Sequence, residues 1–161
     1  MKEYSNVIAD TIKRFCRDFG RNYSFDDEGG IFLFTEAIGD SNELNIYIDV
    51  EENRYCVLCP FPSTINSEDK ILMILMSEFV NRVNYENMLD GLLIFNVEDG
   101  EIGYFIKVDC SDIIPSNTMI KNSLDSVVKV YNKYYFGISC LKTAYCDSEV
   151  AIEVCGLFDE Q

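Results

Sequence analysis

The hydrophobic period of this chain alternates between helical and strand spacing along its length, and that alternation limits the folds open to it. Residues 2–19 place apolar side chains at Tyr4, Ile8, Ile12, Phe15 and Phe19, the three-and-four spacing of a helix with one buried stripe. Gly20 supplies a stop, because glycine takes the left-handed backbone that closes a helix without penalty. The period then falls to two. Ile31–Phe34 reads as a short apolar strand after an Asp26–Gly30 turn, and Leu44, Ile46, Ile48 and Val50 alternate with Asn45, Tyr47 and Asp49. Arg54–Phe61 reads as a third strand, ended by Pro60 and Pro62. From Ser67, a cap followed by Glu68 and Asp69, helical spacing returns with Ile71, Leu72, Leu75, Phe79 and Val83 inward.

Two more apolar runs, Leu92–Val97 and Ile102–Val108, flank Glu98-Asp99-Gly100-Glu101. An Asp-Gly pair in that setting signals a hairpin, since both positions tolerate positive φ. A two-residue loop at Asp99-Gly100 sets Val97 opposite Ile102, Phe95 opposite Tyr104 and Ile94 opposite Phe105. A last helix over about 116–141 turns Ile120, Leu124, Val127, Val128, Tyr131, Ile138 and Leu141 inward, with Lys121, Asp125, Lys129 and Lys133 on its wet side. The order is α-β-β-β-α-β-β-α, an α+β fold in which helices pack on one face of an antiparallel sheet. At 161 residues the whole chain, 1–161, is expected to form one domain, with a short acidic tail from about 146.

Charge and residue usage exclude several function classes. Against 28 Asp and Glu stand 13 Lys and Arg, a net charge of −15, and 18 of those acids lie between residues 21 and 110. Such a surface repels phosphate backbones and anionic lipid, so no nucleic-acid and no membrane partner is expected. The chain has no histidine, which removes every Ser–His and Cys–His catalytic pair and every imidazole metal ligand. The longest apolar block, Ile71–Met76, is far short of the roughly 18 residues that a membrane span needs. The polar opening segment does not read as a signal peptide. Seven cysteines, odd in number and irregularly spaced, suit a reducing compartment better than a disulfide framework. A cytoplasmic protein is the expectation.

Three motifs could carry chemistry. Cys56-Val57-Leu58-Cys59 has CxxC spacing, but in an apolar strand an offset of three puts the sulfurs on opposite faces, and no second CxxC completes a zinc set. Asp26-Asp27-Glu28 and Asp49/Glu51/Glu52 are acidic clusters without the EF-hand ligand spacing, and read as solvated turn carboxylates. The tyrosines near 131–135 follow helical spacing and read as core. No catalytic, cofactor-binding or metal-binding residue is assigned, and no cofactor is expected.

The stretch from Val83-Asn84 through Gly91-Leu92-Leu93-Ile94-Phe95 and the Glu98–Glu101 turn to Ile102-Gly103-Tyr104-Phe105 resembles the YbjN-like proteins. These are bacterial sensory-transduction regulators with a type III secretion chaperone-like fold. The Ile114-Pro115-Ser116 helix start and the Tyr131/Tyr134/Tyr135 helix end are similar too. The resemblance implies that fold, a small acidic dimerising protein, and no catalytic residues to carry over.

One signal points to a surface. The Leu92–Val97 strand is apolar on both faces, with Leu93, Phe95 and Val97 on one and Leu92 and Ile94 on the other. Its partner adds Ile102, Tyr104 and Ile106 to the first face and Phe105 to the second. Helices over the first face leave Leu92, Ile94 and Phe105 as an exposed apolar patch, unless the C-terminal segment folds over them. These three are the expected protein-interaction residues. The expected function is a non-enzymatic protein-interaction module, regulatory or chaperone-like, with a protein partner or client and a homodimeric state. The alternative is a small-molecule- or metal-dependent enzyme using the acidic turns, which calls for a polar-lined pocket instead of a flat apolar face.

Overall fold

A computed structural model describes residues 2–38, 42–86, 90–144 and 146–156. Helix α1 (Asn6–Asp18) is followed by strands β1 (Ser24–Asp26), β2 (Ile31–Ile38), β3 (Asn42–Val50) and β4 (Arg54–Thr64), helix α2 (Lys70–Glu86), strands β5 (Leu92–Phe95) and β6 (Glu101–Asp109), and helices α3 (Asn117–Ala144) and α4 (Ser148–Gly156). The strands form one antiparallel sheet in the order β1-β2-β3-β4-β6-β5. The α+β class and the expected element order hold, with two additions. Strand β1 is only three residues long and escapes a periodicity test. Helix α4 occupies most of the segment expected as an acidic tail, and packs on α3 and α2 with Ala151 and Cys155 buried. Gly137 in α3 permits this, since a Cβ there would lie 2.5 Å from Cys155 Sγ and 2.7 Å from the Ala151 carbonyl.

Each helix begins on a side-chain cap that satisfies an otherwise orphaned backbone N–H. Ser5 Oγ accepts from Ile8 N, Asp69 Oδ1 from Leu72 N, Ser116 Oγ from Met119 N and Asp147 Oδ1 from Val150 N. The α2 cap is therefore Asp69, two residues later than the expected Ser67. Ile71 then falls in the first turn and faces solvent and Leu75 is half-buried, while Leu72, Met73, Met76, Phe79, Val80 and Val83 are buried. At the end of α1, Arg21 N reaches Cys16 O and Gly20 N reaches Arg17 O, with Gly20 at φ +63°, as the glycine stop predicted. Phe19, expected inward, lies at that end and is exposed.

The core lies between one sheet face and the helices. Phe32, Phe34, Ile46, Ile48, Val57, Cys59, Leu93, Tyr104 and Ile106 point into it from the strands. Two buried tyrosines fix α3 on the sheet: Tyr55 Oη and Ser123 Oγ lie 3.1 Å apart, and Tyr104 Oη and Ser126 Oγ 3.3 Å. Phe61 meets Tyr131 edge to face at 5.1 Å. Val128, expected inward on α3, is only half-buried. The prolines do not end β4. Pro60 pairs with Gly103 and Thr64 with Glu101, so an irregularity in register between them absorbs the missing donors.

Candidate interaction surface

The opposite face of the sheet is built from the other parity of the same strands. Residues paired across neighbouring strands share a face, so the register defines its rows. One row runs Ser24–Leu33–Tyr47–Leu58–Phe105–Leu92 across all six strands. Five of its six members are large and apolar or aromatic. Leu33, Tyr47, Leu58 and Phe105 are half-buried against one another, and Leu92, at the β5 end, is 53% exposed. A second row sets Pro60 opposite Gly103 and Gly103 opposite Ile94, which is 38% exposed.

Gly103 contributes no side chain between Pro60 and Ile94. The result is a groove of about 260 Å³, lined by Leu58, Pro60, Ile94, Phe95, Glu101 and Gly103 among others. A Cβ at Gly103 would also press to 2.8 Å from the Cys59 carbonyl. Polar residues rim the face: Asp26, Asp49 and Lys107 lie along the row Asp26–Ile31–Asp49–Cys56–Lys107, Thr35 and Asn45 pair at the β2–β3 side, and Glu101 closes the hairpin end.

The three residues singled out in the sequence, Leu92, Ile94 and Phe105, all lie on this open face, but not in the expected register. Phe95 pairs with Ile102 and Leu93 with Tyr104, a slip of two residues that puts Leu92, not Ile94, opposite Phe105. A slip of two preserves every side chain's face. Its cause is the turn. Asn96 Oδ1 accepts from Glu98 N, Gly100 N donates to Asn96 O, and Asp99 Oδ1 accepts from Glu101 N, which makes a five-residue connection over 96–100 instead of a two-residue loop. Gly100 has φ +76°, and a Cβ on it would lie 2.0 Å from the Ile65 carbonyl oxygen. Helix α4 lies with α2 and α3, so it does not fold over the patch.

The exposed edge of the sheet beside the patch is managed by Asn84 of α2. Its Nδ2 donates to Leu93 O and its Oδ1 accepts from Leu93 N, both at 2.9 Å, so the carboxamide stands in for a neighbouring strand. Sequence reasoning singled out Val83-Asn84 without that role. It also missed Leu33, Tyr47, Leu58, Pro60 and Gly103, although Leu33 and Leu58 interrupt the polar parity of their strands and carried a signal.

The CxxC cysteines lie on opposite faces, Cys59 beside Tyr104 in the core and Cys56 beside Lys107 on the open side. Burial pushes the Cys59 thiol up to about 12 and raises that of Cys56, with the Glu51 carboxylate adding to the latter. The acidic turns are engaged within the fold. Asp49 is ion-paired with Lys2 and Glu51 with Arg54, and the Arg54 hydrogen bond lowers the Glu51 pKa. Asp26 Oδ1 accepts from Glu28 N, and Tyr4 Oη lies 3.1 Å from Asp27 Oδ1. Among the described residues no three acidic or thiol side chains are grouped to hold a metal ion, and no helix is long and apolar enough to cross a membrane.

No family model matches the chain, and no curated protein does. Among solved structures it is similar to the crystal structure of the ExsC–ExsE complex, at 13% identity and a TM-score of 0.53, over 89% of this chain and 99% of that one. The likeness shows the fold, an α+β architecture with a six-stranded antiparallel sheet shared with that structure.

Proposed function

We propose that this chain is a cytoplasmic, non-enzymatic protein-interaction module, regulatory or chaperone-like in role, that pairs with a second copy of itself through the hairpin end of its open sheet face. Leu92, Ile94 and Phe105 are the contact residues. The observation that carries this reading is the uncovered row from Leu33 through Tyr47, Leu58 and Phe105 to Leu92, with Ile94 beside it. Contiguous apolar surface with a polar rim marks protein interfaces, and a contact between like faces closes as a symmetric pair. Support comes from the YbjN-like resemblance, which implies an acidic dimerising regulator, and from a fold shared with a protein solved in a complex.

Burying a large apolar side chain is worth roughly 1.5–3 kcal/mol, so several aligned across a symmetric contact favour association. A net charge of −15 opposes it, but that repulsion is screened beyond about 8–10 Å at physiological salt. Dimerisation should therefore strengthen as salt rises. Sedimentation equilibrium at low and high salt tests this, with Ile94→Asp/Phe105→Lys as the disrupting variant and circular dichroism as the control for folding. The expected result is a dimer for the unaltered chain and a folded monomer for the variant. An unaltered chain that is monomeric at micromolar concentration in both salts refutes self-association. A variant that loses its structure shows that these side chains belong to the core.

A further inference from the structure

Five of the seven cysteines belong to no motif in the sequence, yet the fold brings two of them together outside the CxxC pair. Cys140 lies one turn before the end of α3, and Cys146 lies in the connection to α4. Their sulfurs are 2.8 Å apart and both residues are half-buried. The other five cysteines are buried. Where those have a hydrogen-bond acceptor it is oxygen: Cys155 Sγ faces Ala151 O at 3.2 Å, Cys59 Sγ faces Pro60 O at 3.7 Å, and Cys110 Sγ faces Val108 O at 3.8 Å. The close packing of α4 at Gly137 explains the juxtaposition. With α4 drawn against α3 and capped at Asp147, Cys146, the residue before that cap, lies against Cys140 in the last turns of α3.

We propose that Cys140 and Cys146 form an oxidisable dithiol that closes to an intramolecular disulfide when the chain meets a peroxide, tying the end of α3 to the start of α4. The chemistry balances in two steps. One thiol, as thiolate, attacks a peroxide oxygen, breaks the O–O bond and becomes a sulfenic acid, while the leaving hydroxide takes up the thiol's proton as water. The second sulfur then attacks the sulfenic sulfur, forms the S–S bond and expels a second hydroxide, which takes up the second proton. Two thiols and one peroxide give one disulfide and two waters. Burial, reinforced by the Cys140 thiol, pushes Cys146 up to about 12, so the advantage of the pair is proximity: the second step is intramolecular, with the partner already in contact. The other five thiols are buried, which limits their access to peroxide. This inference concerns the helix side of the molecule and does not depend on the open sheet face.

The test uses the full chain, reduced and desalted, then exposed to graded hydrogen peroxide, alkylated with N-ethylmaleimide and mapped by mass spectrometry without reduction. The expected result is a fall from seven free thiols to five, a Cys140–Cys146 crosslink, and recovery of seven with dithiothreitol. Cys140→Ser and Cys146→Ser should each leave no crosslink to any remaining cysteine. Hydrogen exchange should slow across 148–156 in the oxidised chain relative to the reduced one. Retention of all seven thiols under peroxide that oxidises free cysteine overturns the proposal, as does sulfinic acid at Cys140 or Cys146 without a crosslink. A bond to any other cysteine, in the same or another copy, also overturns it. A crosslink that leaves exchange over 148–156 unchanged overturns the tying of α4.

Discussion

The two faces of the sheet are made from the same strands and are both rich in apolar side chains, yet only one is covered. Adjacent residues show the contrast most sharply. On β5, Leu93 is 2% exposed and Leu92 is 53% exposed; on β6, Tyr104 is fully buried and Phe105 only half so. Chemistry does not separate the members of the leucine pair; parity does. The inner face meets α3 through paired hydroxyls at Tyr55–Ser123 and Tyr104–Ser126, whereas no helix of the described residues crosses the outer face. Apolar character in a strand thus reports two different things, a core on one parity and a surface awaiting a partner on the other. Substitutions on the first should be read in folding free energy, and on the second in association.

The largest effect is expected at the inner member of the pair. Leu93→Ala should cost about 3 kcal/mol, since it removes buried methyl groups and leaves a cavity between β5 and the helices. Chemical denaturation with an unchanged m-value would measure it. A loss below about 1 kcal/mol would mean that the β5 end of the core is loosely packed, and would weaken the distinction between faces.

Next is the turn that holds the two faces in register. Gly100→Val should cost about 2 kcal/mol, because φ +76° is strained for a β-branched residue and its Cβ would collide with the Ile65 carbonyl, to which the chain is tied by the Ile65 N–Gly100 O bond of 2.9 Å. A change near zero on thermal or chemical denaturation would place the turn wrongly.

This turn also marks where the sequence stopped being legible. The long amphipathic segments were readable because their apolar periodicity, summed over many residues, outweighs local detail. The faces of Leu92, Ile94 and Phe105 were readable for the same reason: parity survives a register slip of two. The register itself was not, since it depends on Asn96 and Asp99 folding their side chains onto the turn backbone. Strand β1 is too short to show a period. Helix α4 carries two acidic residues, Glu149 and Glu153, that mask a weak apolar stripe, and its place is set by a glycine fifteen residues upstream of its middle, at Gly137. The extent of the open face was hidden by tertiary pairing. Leu33, Tyr47 and Leu58 lie far apart in the chain, and only the order β2-β3-β4-β6-β5 lines them up with Phe105 and Leu92.

The smallest intrinsic effect is expected at the outer leucine, and there the comparison is most exposed to refutation. Leu92→Ala removes the same atoms as Leu93→Ala, but from a side chain already more than half in water. In dilute solution, where the chain is monomeric, stability should change by no more than about 0.5 kcal/mol. As concentration rises, a dimer buries Leu92 and stabilises the folded state by mass action, so the unaltered chain should gain on the variant. The signature is a difference between the two that grows with protein concentration, whereas Leu93→Ala should cost the same at every concentration. Denaturation curves for both variants across a hundredfold dilution, roughly the range over which linkage adds about 2.7 kcal/mol at saturation, would separate the cases. If Leu92→Ala costs as much as Leu93→Ala even when dilute, Leu92 is part of the core and the two faces are not different in kind. If neither dilution nor substitution matters, the outer face does not hold a second copy of this chain.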